Sequence, residues 1–168
     1  TFPFYLYIVR RMMRRVLGAL WRGAPKRLRR WSVRLIEPRF TVSVGAVVVD
    51  PQERVLLLKH IFRMGSGWGI PGGFMEKREQ PDEAIRRELR EEVGLELENL
   101  EIVIVRMIEK SRHLEIIFRC RPRGQATPRS NEIKNAAWFT IDALPRELDQ
   151  DQRNLIARAL NKGMRDEG

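Results

Sequence analysis

A glycine pair followed by an acid-rich helical pattern lies near the middle of the chain, where residues 72–95 read Gly-Gly-Phe-Met-Glu-Lys-Arg-Glu-Gln-Pro-Asp-Glu-Ala-Ile-Arg-Arg-Glu-Leu-Arg-Glu-Glu-Val-Gly-Leu. Four apolar residues of this segment recur at helical spacing, namely Ala84, Ile85, Leu89 and Val93. Proline suits a first helical turn and glycine is a good terminator, and these residues occur at Pro81 and Gly94. The pattern therefore predicts a helix over residues 81–93.

Three carboxylates of this predicted helix share one face, because Glu88, Glu91 and Glu92 are spaced i, i+3 and i+4. Like charges at this spacing repel, and the negative end of the helix dipole makes the last turn a poor place for acids. A bound divalent cation would remove both conflicts, and oxygen ligands suit Mg²⁺ or Mn²⁺. Spacing alone leaves a second interpretation open, a solvated face whose acids pair with the neighbouring Arg86, Arg87 and Arg90.

The segment resembles the signature of the Nudix hydrolases, G-x5-E-x7-R-E-U-x-E-E-x-G-U, in which U is a bulky aliphatic residue. Every defined place of this signature is filled, by Gly73, Glu79, Arg87, Glu88, Leu89, Glu91, Glu92, Gly94 and Leu95. The flanking pattern, from Trp-Gly-Ile-Pro-Gly-Gly at 68–73 to the later Trp-Phe and Leu-Pro pairs, extends the likeness over about residues 40–160. Residues before this range lie outside the resemblance.

The resemblance implies a metal site and assigns its ligands. Glu91 and Glu92 would be the main ligands of Mg²⁺, with Mn²⁺ as an alternative ion, and the carbonyl of Gly72 would be another ligand. Glu88 would be a further ligand or the base that acts on the attacking water. Glu132, which follows a predicted loop, is a further candidate ligand, and its alternative is a surface acid paired with Lys134 or Arg129.

Four other residues complete the predicted site. By the same resemblance, Arg87 would orient the glutamates and Glu79 would tie the glycine loop to the helix. The backbone at Gly73 is able to contact a metal or a phosphate. Trp68 could stack on a base of the substrate, or could instead pack the loop beneath the helix.

The activity that the resemblance implies is cleavage of a pyrophosphate bond in a nucleoside diphosphate linked to another moiety. The metal would neutralise phosphate oxygens and activate water for attack at phosphorus. A nucleotide-sensing module without catalysis is the alternative. The proline mark of ADP-ribose pyrophosphatases and the tyrosine mark of dinucleoside polyphosphate hydrolases are both missing after the box. These absences disfavour the two subfamilies without excluding them, so the substrate stays open between nucleoside di- or triphosphates and ADP-ribose-like sugar nucleotides.

The pattern outside the box predicts an α/β sandwich with a mixed sheet. Strands are expected at 41–49, 55–59, 101–109, 113–121 and 133–140, a loop at 122–131 and a second helix at 150–160. The turn residues at 50–53 predict that the first two strands form a hairpin. His60 and His113 stand alone in the sequence and are not expected to be ligands. Cys120 lies in an apolar strand and is expected to be inert.

Charge divides the 168-residue chain into two parts. Residues 1–40 hold eleven basic residues and one acid, a net charge of +10, whereas residues 41–168 hold 21 of each and are neutral. We therefore predict a basic extension over 1–40 and a catalytic domain over 41–168. A single cysteine excludes an intrachain disulfide and a cysteine-rich zinc site, and favours a reducing, cytoplasmic compartment.

The extension itself is predicted to contain a basic amphipathic helix over residues 5–22, with apolar and arginine side chains on opposite arcs. Such a helix could pack on the domain or on a second copy, or lie on an anionic membrane surface; nucleic acid or a targeting role is less favoured. No apolar segment approaches the roughly 20 residues of a membrane-spanning helix, and the order of charge and apolar residues is the reverse of a secretory signal.

Overall fold

The computed structural model describes Pro25, residues 40–62, Gly65, residues 67–108 and residues 111–163. The described residues from Phe40 onward belong to one compact unit. The amphipathic helix predicted over 5–22 lies outside the described residues. Among the helices in the described ranges, none is long and apolar enough to cross a membrane.

The described residues form seven strands and two α-helices. In chain order these are β1 (Thr41–Val48), β2 (Val55–His60), β3 (Trp68–Gly69), β4 (Gly72–Phe74), α1 (Pro81–Val93), β5 (Glu96–Ile108), β6 (His113–Arg123), β7 (Ile133–Phe139) and α2 (Gln150–Gly163). A short 3₁₀ turn at Ile141–Ala143 precedes α2. The helix predicted over 81–93 and the five predicted strands are confirmed, with shifted ends at several of them.

The strands form two sheets. The larger one has the order β4-β1-β6-β5, with β1 parallel to β6 and the other neighbours antiparallel, and the smaller one is antiparallel with the order β3-β2-β7. The mixed sheet of the sequence prediction is therefore confirmed. The predicted hairpin of β1 and β2 is wrong, because only a single bridge, Val49 to Val55, joins them. Each of these strands already has a neighbour on both edges, and this leaves no edge for the other.

The two helices cover opposite faces of the sheets. Side chains alternate along a strand, so neighbouring residues of β1 enter different cores. One core contains Val44, Ala46 and Val48 together with the apolar stripe of α1, and the other contains Val47 and Val49 together with Leu155 and Ile156 of α2. The result is an α/β/α sandwich in which β4 forms one edge of the larger sheet.

Helix α1 begins and ends as its sequence predicts. The Gln80 backbone N–H donates to the Glu83 carboxylate at 2.9 Å, which satisfies one of the unpaired donors of the first turn. At the other end Gly94 has φ 68° and donates its N–H to the Arg90 carbonyl at 3.0 Å. The loop before β7 then covers this end, where the Arg129 N–H donates to the Glu92 carbonyl at 2.8 Å. Both ends of the acid-bearing helix are thus fixed.

Candidate functional site

Arg87 is the centre of a charged cluster on α1. Its Nε and Nη2 donate to the two Glu79 carboxylate oxygens at 2.8 and 3.1 Å, and Nη2 also donates to the Phe74 carbonyl at 3.1 Å. Its Nη1 donates to Glu88 Oε1 at 2.8 Å and to Glu91 Oε2 at 3.3 Å. The hydrogen bond to Glu79 is the main reason why the pKa of Arg87 is raised. One guanidinium therefore holds three predicted site acids.

Glu79 joins the loop after β4 to α1. Besides Arg87, its carboxylate accepts a hydrogen bond from the Glu76 N–H at 2.9 Å. The hydrogen bond from Arg87, followed by that from Glu76, lowers the pKa of Glu79, so this carboxylate is charged at neutral pH. The contacts agree with the predicted linking position of Glu79.

Glu88 lies against the backbone of β4. A Cβ atom built on Gly73 would stand 2.4 Å from Glu88 Oε1, so a larger residue at position 73 would displace this carboxylate. Burial is the main reason why the pKa of Glu88 is raised, and the Arg87 hydrogen bond opposes that shift. The absent side chain of Gly73 thus provides the space that the Glu88 carboxylate occupies.

Glu92 lies deeper than the other acids of the helix, with 8% of its surface exposed. Its Oε2 accepts a hydrogen bond from the Gly72 N–H at 3.2 Å, and its Oε1 lies 4.0 Å from Nδ1 of His60. Gly72 has φ 145°, and a Cβ there would meet the Val44 carbonyl oxygen at 2.2 Å. His60 was predicted not to be a ligand, and a lone histidine at the end of a strand gives no signal in the sequence for its proximity to Glu92.

The acids are distributed as two groups rather than as one closed cage. Glu88 and Glu91 turn to Arg87, whereas Glu92 turns to Gly72. Within the described ranges, no three His, Cys, Asp or Glu side chains stand close enough to hold a metal ion. The donor set nevertheless fits Mg²⁺ or Mn²⁺, because it consists of carboxylate oxygens next to the backbone of Gly72 and Gly73, and because Glu91 is 60% exposed and able to turn.

Glu132 and Trp68 lie at the small sheet. Glu132 is exposed, its carbonyl accepts the Ile61 N–H at 2.9 Å, and its carboxylate has no ion pair with the described residues. The Trp68 ring is half-buried and meets Phe139 edge-on at 5.3 Å, with Lys59 Nζ 5.6 Å from its centroid. These contacts agree with the packing interpretation of Trp68, and roles in metal or base binding stay predictions.

A cavity of about 230 Å³ opens on the other face of β4. Its chemistry-bearing lining consists of Ser43, Phe74, His113, Glu115 and Gln152. His113, which was predicted not to be a ligand, has both ring nitrogens hydrogen-bonded, Nδ1 to Thr41 Oγ1 at 2.8 Å and Nε2 to Ser43 Oγ at 2.7 Å. Because side chains two residues apart lie on the same face of a strand, the predicted strand β6 already implied that His113 and Glu115 share a face. The sequence around Gln152 gave no indication that this residue lies beside them.

Comparison with known proteins gives a consistent result. A family model described as the NUDIX domain matches residues 39–159. A MutT-like protein of Streptomyces ambofaciens is 32% identical over 112 residues, which cover 66% of this chain and 71% of that protein. The NAD-capped RNA hydrolase NudC of Pseudomonas aeruginosa is 33% identical over 109 residues, which cover 64% of this chain and 39% of that protein. The chain thus spans well under half the length of the second relative.

Solved structures agree with the sequence comparison. The MutT NUDIX hydrolase of Burkholderia pseudomallei superposes with a TM-score of 0.64 at 26% identity, covering 72% of this chain and 98% of that one. A NUDIX hydrolase of Nitrosomonas europaea gives a TM-score of 0.68 at 21% identity, covering 77% and 74%, and this second likeness bears on the fold alone.

Proposed function

The chain belongs to the Nudix hydrolase family, and on that premise we propose that it hydrolyses a pyrophosphate bond in a nucleoside diphosphate linked to another moiety, with Mg²⁺ or Mn²⁺ as cofactor. The observation that carries the proposal is the arrangement of acids around β4. Glu88 lies against Gly73, and Glu92 accepts the N–H of Gly72, so carboxylates from one helix meet one short stretch of backbone.

Glu91, Glu92 and the Gly72 carbonyl would hold the metal ion. When bound, such an ion neutralises phosphate charge and acidifies a water molecule. Arg87 keeps Glu88 and Glu91 on the same side of the helix, and Glu79 fixes Arg87 in turn. Burial raises the pKa of Glu88, and a carboxylate of raised pKa is the better proton acceptor near neutral pH. Glu88 is therefore our candidate for the base that takes a proton from the attacking water.

The substrate that we propose is a nucleoside di- or triphosphate or an ADP-ribose-like sugar nucleotide. Support comes from the names of the relatives, one of which is a NAD-capped RNA hydrolase. Capped RNA therefore belongs in any test.

The test is a panel of nucleoside di- and triphosphates, sugar nucleotides, dinucleotides and capped RNA, with Mg²⁺ and with Mn²⁺. At least one compound should be hydrolysed. Glu92→Gln keeps the size of the side chain and removes its charge, so we expect turnover to fall roughly a thousandfold, the equivalent of several kcal/mol of lost transition-state stabilisation. Glu98→Gln, on an exposed part of β5, is the matched control and should retain activity.

Two results would contradict the proposal. Unchanged turnover in Glu92→Gln would exclude a catalytic role for the helix acids. Tight nucleotide binding by the wild-type protein without hydrolysis of any compound would instead favour the non-catalytic nucleotide-sensing module.

We also propose that residues 1–40 localise or assemble the enzyme in the cytoplasm, at an anionic membrane surface or by self-association. The support is the charge, because the whole net +10 lies in this extension. Deleting residues 1–39 should leave the rate constant on small substrates within about threefold, since the predicted site residues lie elsewhere. Sedimentation with anionic and with neutral lipid vesicles, and sedimentation velocity of the protein alone, would separate the two modes; loss of activity in a folded deletion variant would refute both.

A further inference from the structure

We propose that the cavity on the α2 face of β4 binds the base of the nucleotide, and that Glu115 makes this cavity selective for guanine. The proposal rests on the proposed function, since it concerns the nucleotide that the Nudix site would hydrolyse. Apart from Phe74, the residues to which it assigns a role lie outside the box.

Strand β4 connects the cavity with the acid cluster. Gly73 pairs with Val44 and faces Glu88, whereas the next residue, Phe74, pairs with Ser43 and faces the cavity. Among the described strands β4 is the edge of the larger sheet, so a ligand can pass around it from one face to the other. A nucleotide whose phosphates lie beside Gly72 and Gly73 can therefore place its base in the cavity.

Phe74 and His113 provide an aromatic wall. Phe74 is 65% exposed although it is large and apolar, which leaves its ring accessible to a ligand. Its ring meets His113 at a centroid distance of 5.5 Å and an interplanar angle of 81°. Hydroxyl groups of Thr41 and Ser43 hold both nitrogens of His113, so the wall is rigid. A fixed aromatic surface of this kind suits the flat face of a base.

Glu115 and Gln152 provide the polar edge of the cavity. Arg106 Nε donates to Glu115 Oε2, and its two terminal nitrogens donate to the Asp151 carboxylate at 2.7 Å each. A carboxylate has about four acceptor positions, so Glu115 keeps acceptor capacity beyond its bond with Arg106. Gln152 uses its Oε1 to accept the Ile70 N–H at 3.1 Å, and its amide group therefore offers donors.

This combination of acceptor and donor favours guanine over the other bases. Guanine presents two adjacent N–H donors, which suit a carboxylate, and a carbonyl oxygen beside them, which suits the amide of Gln152. Adenine and cytosine present a ring-nitrogen acceptor at the corresponding place, and a carboxylate repels it. Uracil offers only one donor. Sites that hydrogen-bond a base in this manner discriminate more strongly than apolar pockets do.

The test compares GTP, ITP and ATP as substrates, because ITP differs from GTP only in the exocyclic amino group. For the wild-type protein we expect kcat/KM for GTP to exceed that for ATP by about tenfold to a hundredfold, with ITP between them, as for hydrogen bonds to a charged group. Glu115→Gln should reduce the preference for GTP over ATP to about threefold or less, because the charged acceptor for the two guanine donors is lost. Glu98→Gln is the control and should keep the wild-type preference.

Equal kcat/KM for GTP and ATP in the wild-type protein, or an unchanged preference in Glu115→Gln, would overturn the proposal. If Glu115→Gln does not fold, Phe74→Ala replaces it: we expect weaker binding of GTP, and wild-type affinity would refute the cavity as the base site. If no nucleotide is hydrolysed, the proposed function fails separately. GTP and ATP binding to Glu92→Gln, measured by calorimetry, then decides whether the cavity still selects guanine.

Discussion

Arg87 and Arg106 each form ion pairs with more than one carboxylate, and they differ in how far along the sequence those carboxylates lie. The Arg87 cluster contains Arg87, Glu79, Glu88 and Glu91, all within the box. The Arg106 cluster joins Arg106 of β5 to Glu115 of β6 and to Asp151 at the start of α2, nine and 45 residues away. The two arginine side chains are similarly buried, at 20% and 24% exposure. Burial therefore does not distinguish them.

The formal charge of the two clusters does distinguish them. With all groups ionised, the Arg87 cluster has three carboxylates for one guanidinium and a net charge of −2, whereas the Arg106 cluster has two and a net charge of −1. A surplus of −2 next to bare glycine backbone suits a divalent cation. A surplus of −1 beside an aromatic wall suits a neutral hydrogen-bond donor. The same side-chain chemistry thus gives a predicted metal site on one face and a predicted base site on the other.

Among the substitutions that compare the two clusters, Arg87→Lys is expected to have the largest effect. An ammonium group cannot hold Glu79 in a bidentate manner and also contact Glu88, Glu91 and the Phe74 carbonyl. We expect turnover on the best substrate to fall about tenfold to a hundredfold, as for other residues that position metal ligands. Steady-state kinetics across Mg²⁺ concentrations would measure this, and a drop that excess Mg²⁺ partly restores would show that metal affinity is the lost property.

The matched substitution in the other cluster, Arg106→Lys, should affect chemistry less. It removes the bidentate contact with Asp151, so we expect the free energy of unfolding to fall by about 1–2 kcal/mol. Turnover should stay within about threefold, because the acids of α1 are not in contact with Arg106. Urea unfolding and steady-state kinetics check both parts. If Arg106→Lys costs as much turnover as Arg87→Lys, the functional division between the two clusters is wrong.

The same contrast explains how much could be predicted from the sequence. The ends of α1 were predictable because Pro81 and Gly94 act on their immediate neighbours. Strands β3 and β4 were not predicted, since glycine-rich segments have no strand preference and β4 exists through its pairing with β1. Strand β5 begins at Glu96, whereas the sequence predicted a start at residue 101. The first five residues were missed because an irregularity around Asn99, which has φ 52°, interrupts the alternation of side chains there.

The candidate site divides in the same manner. The contacts of Arg87 with Glu79 and with the Phe74 carbonyl span only eight and thirteen residues of sequence, a distance that a short motif covers. The approach of His60 to Glu92 spans 32 residues, and Gln152 reaches Ile70 across 82. Such contacts depend on how the sheets and helices pack together, and the sequence around Gln152 or His60 contains no pattern that predicts this packing. The sequence therefore predicted that the box acids lie around Arg87, whereas it gave no indication of the opposite face of β4.

A smaller effect is expected on the stability of the fold when the pH is lowered, and acidification should act on both clusters in the same direction. Hydrogen bonds from Arg87 lower the pKa of Glu79, and hydrogen bonds from Arg106 lower the pKa of Asp151. A carboxylate whose pKa is lowered in the folded protein stabilises the fold at pH values above its ordinary pKa, which is about 4.3 for Glu and about 3.9 for Asp. This stabilisation is lost as the pH falls through the folded-state pKa.

The measurement is the thermal midpoint of Glu79→Gln and Asp151→Asn from pH 7 to pH 3. At pH 7 we expect a deficit against wild type of about 2–4 °C for Glu79→Gln and about 1 °C for Asp151→Asn, because the Asp151 side chain is 58% exposed and its charge is more strongly screened. Both deficits should shrink below about pH 4. A deficit that grows on acidification would mean that the carboxylates do not stabilise the fold through their charge.

The smallest effect is expected at Cys120, which lies on β6 between the two clusters but faces the core under α1. Burial raises the pKa of its thiol to about 12, and the thiolate is the reactive form. Iodoacetamide at pH 7.5 should therefore leave the native protein unlabelled, with its activity unchanged, over a time in which the urea-unfolded chain labels fully. Mass spectrometry measures the labelling.

The rate of Cys120 labelling should also differ between variants of the two clusters. Because Arg87 holds α1 to β4 whereas Arg106 holds α2 to the opposite face, Arg87→Lys should speed labelling of Cys120 more than Arg106→Lys does. Equal rates in the two variants would mean that both arginines stabilise the sandwich as a whole rather than one face each.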